Sequence, residues 1–320
     1  MTPRPGASTP VATGVDVGGS KVTAVVLAPD GTCPVRRTRP TPADDVEATV
    51  ATVLELTREV HTEATVAVGV GAAGLVTREG KVLFAPNLPW RGVDVAAAVA
   101  GATGVPVVVE NDCTAAAYGE WRLGAARGLR DVLYVGVGTG IGGGVVLDGE
   151  LRRGAHGFAG EIGHIVVEPD GPPCGCGNRG CWETVASGMT ITRDGRRAVT
   201  RHAHSLIASM AEGSPASVTG ELVTEAARLG DPTATGILTE AGTRLGVGIA
   251  GLVNVLDVAM VVVGGGVAEA GALMLEPARR AFADSVQAHG VRPEVPIVAA
   301  ALGPDGAAIG SALLALHGAA

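Results

Sequence analysis

Three of the chain's five cysteines lie in the short segment CGCGNRGC, from Cys174 to Cys181. Together with His164 upstream, Cys174, Cys176 and Cys181 match the ligand set of a closed Cys₃His zinc site, in which zinc has a structural role. The alternative is a flexible loop with three free thiols, which would be an oxidation hazard. We therefore predict a structural zinc in loop 161–183. The metal would hold Glu161 and Glu183, on either side of it, for hydrogen bonding to a polyol.

A second candidate for chemistry is the polar end of the apolar segment VVVEND, where Glu110, Asn111 and Asp112 follow three valines. The carboxyl edge of a strand is where α/β proteins place ligands. Asp112 is predicted to accept a proton from a substrate hydroxyl, and Asn111 to orient the substrate. The alternative is that Asp112 only caps the helix that begins there.

Three glycine clusters occur in corresponding places along the chain: DVGGSK, GVGTGIGGG and VVVGGGVAEAG. The first lies between two predicted strands, which excludes Rossmann and Walker loops, because both of those open a helix. Successive backbone N–H groups and a hydroxyl, Ser20 or Thr139, suit a phosphate. Plain hairpin turns are the alternative. Asp16, before the first turn, is a candidate for holding a Mg²⁺-bound water.

Composition excludes several classes of protein. The net charge is −8 and aromatic residues make up only 2% of the chain, so nucleic acid and anionic membranes are not expected as partners. The N-terminal MTPRPGASTP lacks the apolar core of a signal peptide. The apolar stretch LGVGIAGLVNVLDVAMVVVGG is interrupted by Asn254 and Asp257, and we interpret it as a buried helix followed by a buried strand. Few cysteines and no secretion signal predict a reducing cytoplasm.

Alternating strand and helix signals run along the whole chain, and the pattern of strand, glycine turn, strand and Asp-Gly turn occurs twice. Such a repeat predicts two α/β domains of similar topology with a cleft between them. The predicted N-terminal domain covers residues 1–125, and a C-terminal helix at about 305–318 packs back on it. Residues 126–304 form the predicted second domain.

With these motifs in order, and with GEIGH before the cysteine segment, the chain resembles the ROK family of sugar kinases, most closely its bacterial glucokinases. The resemblance covers nearly the whole chain. It implies two actin-like (ribonuclease H-like) ATPase domains flanking an active-site cleft. It also implies ATP and Mg²⁺ as cofactors, and phosphoryl transfer to a primary hydroxyl with Asp112 as the base.

The resemblance also implies site residues. The residues implied to contact the sugar are Gly74, Asn87, Asn111, Asp112, Glu161, His164 and Glu183. Those implied to face the phosphates are Gly18, Gly19, Ser20, Lys21, Thr139 and Gly140, and those implied to approach the adenosine are Gly264, Gly265 and Gly266. His164 would serve twice, with one ring nitrogen on zinc and the other toward a sugar hydroxyl.

Two departures from the family pattern bear on the substrate. Thr114 replaces the usual Asn after END, and GMTITRDGRRAVTRHAHS is unusually rich in Arg and His. Glucose is the expected substrate, and a kanosamine-like amino-sugar or a cyclitol is the alternative.

A homodimer or higher homo-oligomer is expected from the family. Rival functions are a sugar-responsive repressor, which would need a helix-turn-helix that fifteen residues before Asp16 cannot provide, and a sugar-binding protein without catalysis.

Overall fold

The computed structural model of the chain describes residues 9–86 and 88–318. Its strands are β1 (Val11–Val17), β2 (Lys21–Leu27), β3 (Val35–Pro40), β4 (Thr65–Ala72), β5 (Leu75–Val76), β6 (Val82–Phe84), β7 (Val107–Asn111), β8 (Val132–Val137), β9 (Ile141–Leu147), β10 (Glu150–Leu151), β11 (Met260–Gly264) and β12 (Ile297–Ala299). Its α-helices are α1 (Val46–Val60), α2 (Val95–Thr103), α3 (Asp112–Arg122), α4 (Glu183–Ala186), α5 (Gly188–Arg201), α6 (Leu206–Met210), α7 (Gly220–Arg228), α8 (Pro232–Leu256), α9 (Ala272–Ser285) and α10 (Gly306–Gly318).

The two main sheets share one plan, which confirms the repeat predicted from the glycine turns. The strand order is β3-β2-β1-β4-β7 in the first sheet and β10-β9-β8-β11-β12 in the second. In the first sheet β1 to β3 pair antiparallel, whereas β4 and β7 join in parallel. The valine-rich strands are buried almost throughout, as expected for parallel strands covered on both faces. The carboxyl ends of β1, β4 and β7 therefore meet at one edge of the first sheet.

The chain forms two compact units. The first contains the described residues up to Arg130, then Gly144–Gly160 and the residues from Ala301 onward; the second contains Asp131–Gly143 and Glu161–Ala300. This division differs from the predicted domains at the boundary residues 126–130 and 301–304, and in residues 144–160. That segment packs on the first unit: a Cβ at Gly144 would lie 2.3 Å from the Cβ of Ala117, and Arg153 donates to Glu110 at 2.5 Å.

Helix α10 covers the first sheet at unusually short range, because glycines replace side chains at its contacts. A Cβ at Gly14 of β1 would lie 1.8 Å from the Ala308 carbonyl oxygen, and one at Gly69 of β4 would lie 1.8 Å from that of Ser311. Gly310 of α10 faces α3, where a Cβ would lie 1.7 Å from the Ala115 carbonyl oxygen. The C-terminal helix thus holds β1, β4 and α3, the elements that carry the polar edge of the sheet.

We expect Gly310→Ala to destabilise the protein although alanine is the better helix former. The new methyl group would meet the backbone of α3, which cannot move aside as a side chain can, and overpacking of this kind costs about 1–3 kcal/mol. Gly101→Ala in α2 is the matched control, because a Cβ there has open space. Thermal melts should show a lower midpoint for Gly310→Ala alone. Equal midpoints for the two variants would contradict the packing argument.

The long apolar stretch forms a helix followed by a strand, as predicted. Asp231 caps α8 by accepting the Ala234 N–H at 2.7 Å, and Asp257 ends it in the left-handed conformation, at φ 49°. β11 then begins at Met260. Among the residues that the structure describes, no helix is both long and apolar enough to cross a membrane.

Candidate active site

The polar edge of the first sheet brings together Asp16 and the END segment. Asp16 of β1 is in register with Gly71 of β4, and Gly71 is in register with Glu110 of β7. A Cβ at Gly71 would lie only 3.5 Å from the Cα of Asp112, so the strand between the two acids carries no side chain there. The predicted base and the predicted magnesium-binding acid therefore lie near each other at the same edge.

Asn111, and not Asp112, is the N-cap of α3. Its Oδ1 accepts the N–H of Thr114 at 2.9 Å, and its amide group donates to the Gly74 carbonyl at 3.1 Å. The alternative that Asp112 is only a helix cap is therefore wrong: the cap position is filled by the preceding residue, and Asp112 is the first residue of the helix. Gly74 lies here at φ 152°, and the predicted site residue Asn87 lies outside the described residues.

Asp112 and Asp16 are half-buried, and both have a raised pKa. Burial raises the pKa of Asp112, while hydrogen bonding to the Cys113 N–H, at 2.9 Å, partly opposes the shift. The pKa of Asp16 is raised to about 7, by burial first and then by the negative charge of Asp112, with Lys21 opposing. A carboxyl group that holds its proton more tightly than usual is a better general base near neutral pH.

We expect Asp16→Asn to stabilise the metal-free protein at pH 8 but not at pH 4. The folded-state pKa of Asp16, about 7, is above its ordinary 3.8, so stability falls as the pH rises from 3.8 to about 7, where the unfolded chain has lost a proton that the folded state still holds. An amide cannot ionise and removes that loss. Thermal melts at both pH values in a chelator measure it, with Asp44→Asn as the exposed control. A gain of the same size at both pH values would contradict the assignment.

The first glycine turn is held by its carbonyl groups, which leaves its tip exposed. The Gly18 N–H donates to the Lys21 carbonyl at 3.1 Å, and the Thr41 hydroxyl donates to the Gly18 carbonyl at 2.7 Å. The Thr41 N–H donates to the Ser20 carbonyl at 3.0 Å. Ser20 itself is exposed, so its hydroxyl is open to a ligand. Gly19 is at the tip of the turn, and anion binding by the turn stays a prediction.

In the second unit the four predicted metal ligands converge. One ligand atom from each of His164, Cys174, Cys176 and Cys181 lies within 4.8 Å of all the others. The Cys176 and Cys181 sulfur atoms are 3.7 Å apart, and the Cys174 sulfur is 3.6 Å from His164 Nδ1. A tetrahedral zinc with Zn–S bonds of about 2.3 Å places two of its sulfur ligands about 3.8 Å apart. The four side chains fit a structural zinc ion.

The two predicted sugar-binding carboxylates flank the metal-ligand histidine. Glu183 Oε1 lies 3.6 Å from His164 Nδ1, and Glu161 Oε2 lies 3.8 Å from Nε2 of the same ring. Glu161 directly precedes a 3₁₀ turn, Ile162–His164. Gly163 in this turn is required by packing, since a Cβ would lie 2.0 Å from the Ile141 carbonyl oxygen. Both carboxylates are therefore placed by the loop that the metal ligands close.

The second glycine turn, residues 138–140, lies against Glu183. Glu183 Oε2 is 3.4 Å from the Ile141 N–H nitrogen, and a Cβ at Gly140 would lie 2.3 Å from the same oxygen. The Gly138 N–H donates to the Gly140 carbonyl at 3.0 Å, which closes the turn around Thr139.

The third glycine cluster is explained mainly by packing inside the second unit. A Cβ at Gly264 would lie 2.2 Å from the Tyr134 hydroxyl oxygen, and one at Gly265 would lie 2.5 Å from the Val137 carbonyl oxygen. Only at Gly266 would a Cβ meet open space. The role of these glycines toward adenosine stays a prediction, and the structure supplies a separate reason for two of them.

One functional contact was not predicted. Glu110 is buried, and its two oxygens accept from Arg153 Nε at 2.5 Å and from the Asn111 N–H at 3.0 Å. This ion pair, in which Glu110 is buried and Arg153 is half-buried, fixes the end of β7 directly before Asp112. The only sequence signal was the unexplained third acid of the END segment, because Arg153 lies far away along the chain and follows no motif.

The chain is similar to known proteins over nearly its whole length. Residues 12–317 match the sequence profile of the ROK family. The chain is 39% identical over 308 residues to a glucokinase of Streptomyces coelicolor, covering 94% of this chain and 96% of that protein. A glucokinase of Thermotoga maritima is 36% identical over 303 residues, with coverage of 93% and 95%.

A solved structure is similar over nearly the whole chain. It is a ROK family glucokinase from Streptomyces griseus in complex with glucose and AMPPNP, 39% identical, with a TM-score of 0.90 and coverage of 96% of this chain and 99% of that one. The likeness confirms the predicted fold class of two actin-like α/β domains.

Proposed function

Because the chain belongs to the ROK family, we propose that it is an ATP-dependent kinase that phosphorylates the primary, 6-hydroxyl group of a hexose. Glucose is the proposed substrate. Support comes from the glucokinases at 39% and 36% identity, and from the Streptomyces griseus relative, whose structure contains glucose and an ATP analogue. The observation that carries the proposal is the placement of Asp112 at the carboxyl edge of the first sheet, beside Asp16.

In the proposed reaction Asp112 acts as the general base. Its carboxylate takes the proton of the sugar hydroxyl as that oxygen forms a bond to the terminal phosphorus of ATP, and the bond to ADP breaks. Phosphoryl transfer depends on positioning and charge neutralisation more than on covalent chemistry. Asn111, which caps α3 and binds the Gly74 carbonyl, supplies the positioning for Asp112.

Mg²⁺ and the nucleotide phosphates are assigned to the glycine turns. Asp16 would hold a water bound to Mg²⁺, and the charge of the ion would offset the repulsion between Asp16 and Asp112 that raises the pKa of Asp16. Lys21 lies close enough to Asp16 to lower that pKa. The Gly18 and Gly138 N–H groups already donate to carbonyls within the turns, so the other N–H groups of the turns are the ones proposed to bind the phosphate oxygens. The residues proposed to contact the phosphates are Gly18, Gly19, Ser20, Lys21, Thr139 and Gly140.

The sugar is assigned to the loop that the metal ligands close. Zinc held by His164, Cys174, Cys176 and Cys181 would act only as a fixed centre for this loop. Glu161 and Glu183 would then accept hydrogen bonds from sugar hydroxyls without first having to order themselves. His164 Nδ1 is the ring nitrogen near the Cys174 sulfur, and Nε2, which lies 3.8 Å from Glu161, would serve the sugar as well.

A substrate panel tests the proposal and its alternatives. ADP formation should be measured with glucose, mannose, N-acetylmannosamine, kanosamine and a cyclitol at equal concentrations. We expect the largest kcat/KM for glucose. If kcat/KM is larger for kanosamine or the cyclitol, that compound is the substrate instead of glucose. The Arg- and His-rich helix α5 would then be the first candidate for the source of this specificity. If no ADP is formed with any of these compounds, the proposal that the protein is a sugar kinase is wrong.

We further propose a homo-oligomer in the cytoplasm. The second unit exposes a run of three apolar side chains in its metal loop, Ile165, Val166 and Val167, and two on α8, Val247 and Val255. Exposed apolar groups that are contiguous on a surface are typical of an association face. None of the five cysteines, all of which the structure describes, forms a disulfide bond, and this suits a reducing compartment. Light scattering after gel filtration tests the oligomer, and a monomer at micromolar concentration would exclude it.

A further inference from the structure

We propose that Glu183 is a positioning residue that connects the metal centre to the glycine turn 138–140, so that metal binding and nucleotide binding strengthen each other. The inference rests on the proposed function, because it takes that turn to hold the nucleotide phosphates. It adds a role for the metal loop beyond holding the sugar.

The carboxylate of Glu183 contacts both sites at once. One oxygen, Oε1, lies 3.0 Å from the sulfur of Cys174 and 3.6 Å from Nδ1 of His164, two of the four metal ligands. The other oxygen, Oε2, lies 3.4 Å from the Ile141 nitrogen and against the Cα of Gly140. The side chain of Glu183 is only 12% exposed, so it has little room to leave one site without disturbing the other.

The backbone that follows Glu183 makes a second connection. The Gly188 N–H donates to the Gly138 carbonyl at 2.9 Å, and the Met189 N–H donates to the Thr139 carbonyl at 3.2 Å. These are the first N–H groups of α5, which have no partner inside their own helix. Ser187, between Glu183 and these groups, is fully buried, and its hydroxyl has no hydrogen-bond partner among the described residues.

A third contact links the metal loop to Ile141, the residue after the glycine turn. Gly163, next to the metal ligand His164, packs so closely on Ile141 that a Cβ would lie 2.0 Å from the Ile141 carbonyl oxygen. The residue after the turn is thus held between the 3₁₀ turn of the metal loop and Glu183. A loop released by loss of the metal would release the turn as well.

Linkage makes the consequence reciprocal. If the metal orders the turn that a nucleotide binds, then a bound nucleotide must hold the metal more tightly by the same factor. The nucleotide alone should therefore reduce the amount of zinc released at equilibrium to a competing chelator, with no sugar present and no catalysis. This readout separates the connection from a general structural role of zinc, which would not depend on nucleotide.

The experiment measures the equilibrium release of zinc from the full-length protein to a competing chromophoric chelator, with and without saturating ADP. In the wild type we expect ADP to lower the apparent dissociation constant of zinc about fivefold or more, within the usual range of coupling between sites. Gly140→Ala should release more zinc than the wild type in the absence of ADP, because the new methyl group displaces the Glu183 carboxylate while leaving all four ligands in place.

Gly138→Ala is the matched control in the same turn, since a Cβ there meets nothing within 4 Å. Zinc release without ADP should match the wild type in this variant. Calorimetric measurement of ADP binding to the wild type distinguishes a failure of the inference about Glu183 from a failure of the proposed function. ADP binding without any effect on zinc release would overturn the inference alone. Absence of ADP binding would overturn the proposed function and the inference together. Equal zinc release from both alanine variants would overturn the role of Glu183.

Discussion

Asp112→Asn is expected to lower kcat at least a hundredfold while leaving sugar binding nearly intact. The amide has the size of the carboxyl group but cannot take a proton, and general-base catalysis contributes about 10²–10⁴-fold to rate. The fold should tolerate the change, because Asn111 caps α3 and Asp112 does not. Loss of a half-buried carboxyl group with a raised pKa removes a source of instability as well.

Steady-state kinetics with calorimetric sugar binding measure this prediction. Asp45→Asn is the control, since Asp45 caps α1 by accepting the Ala48 N–H at 3.0 Å and asparagine caps a helix equally well. That variant should keep wild-type kcat. Turnover by Asp112→Asn within tenfold of the wild type would remove Asp112 from the role of base. If the variant loses sugar affinity by the same factor as kcat, Asp112 would be assigned to sugar binding instead of proton transfer.

Cys176→Ser is expected to lose the metal and most of the turnover. Cys176 is exposed, whereas Cys174 and Cys181 are buried, so this substitution removes a ligand with little change in packing. The loss of zinc affinity should exceed the about 10–100-fold that removal of an outer-shell partner costs. Without the metal, Glu161 and Glu183 would no longer be held for the sugar, and KM should rise together with the fall in kcat.

Metal analysis by mass spectrometry and kinetics on the same sample test this expectation. Cys33→Ser in the first unit is the control and should retain one zinc per chain and full turnover. Zinc absent from the purified wild type would contradict the metal site itself. A Cys176→Ser variant with full turnover and no zinc would show that the metal is not needed to hold the sugar-binding loop.

Features that depend on local residue types were predictable. The repeated strand, glycine turn and strand followed from valine runs and Asp-Gly turns, which act within a few residues. The metal ligands followed from side-chain chemistry, because three cysteines and a histidine this close have few other uses in a reducing compartment. The C-terminal helix from Gly306 was predicted at its observed start.

Features that depend on distant contacts were not predictable from the sequence alone. Asn and Asp cap helices equally well, so the order Asn111–Asp112 could not show which one is the cap. The pairing of Arg153 with Glu110 joins residues that no periodic pattern connects. Packing, rather than a ligand, explains Gly264 and Gly265, and that reason is visible only once Tyr134 and Val137 lie beside them.

Helix α5 was missed although a signal was present. The Arg- and His-rich segment from Gly188 was interpreted only as a departure from the family pattern. Its buried residues Ile191, Gly195, Ala198 and Val199 nevertheless follow the helical spacing of i, i+4, i+7 and i+8. Thr and Gly in the segment lower helix propensity, and this masked the apolar face.

The position of the transferred phosphoryl group tests the central claim most directly. The product formed from glucose and ATP should be analysed by ³¹P and ¹³C NMR, with 6-deoxyglucose as the matched compound that lacks the reacting hydroxyl. The account predicts phosphate on carbon 6 of glucose, one ADP for each sugar phosphorylated, and binding of 6-deoxyglucose without turnover. Phosphate at another carbon, or ADP formation with 6-deoxyglucose equal to that with glucose, would contradict it.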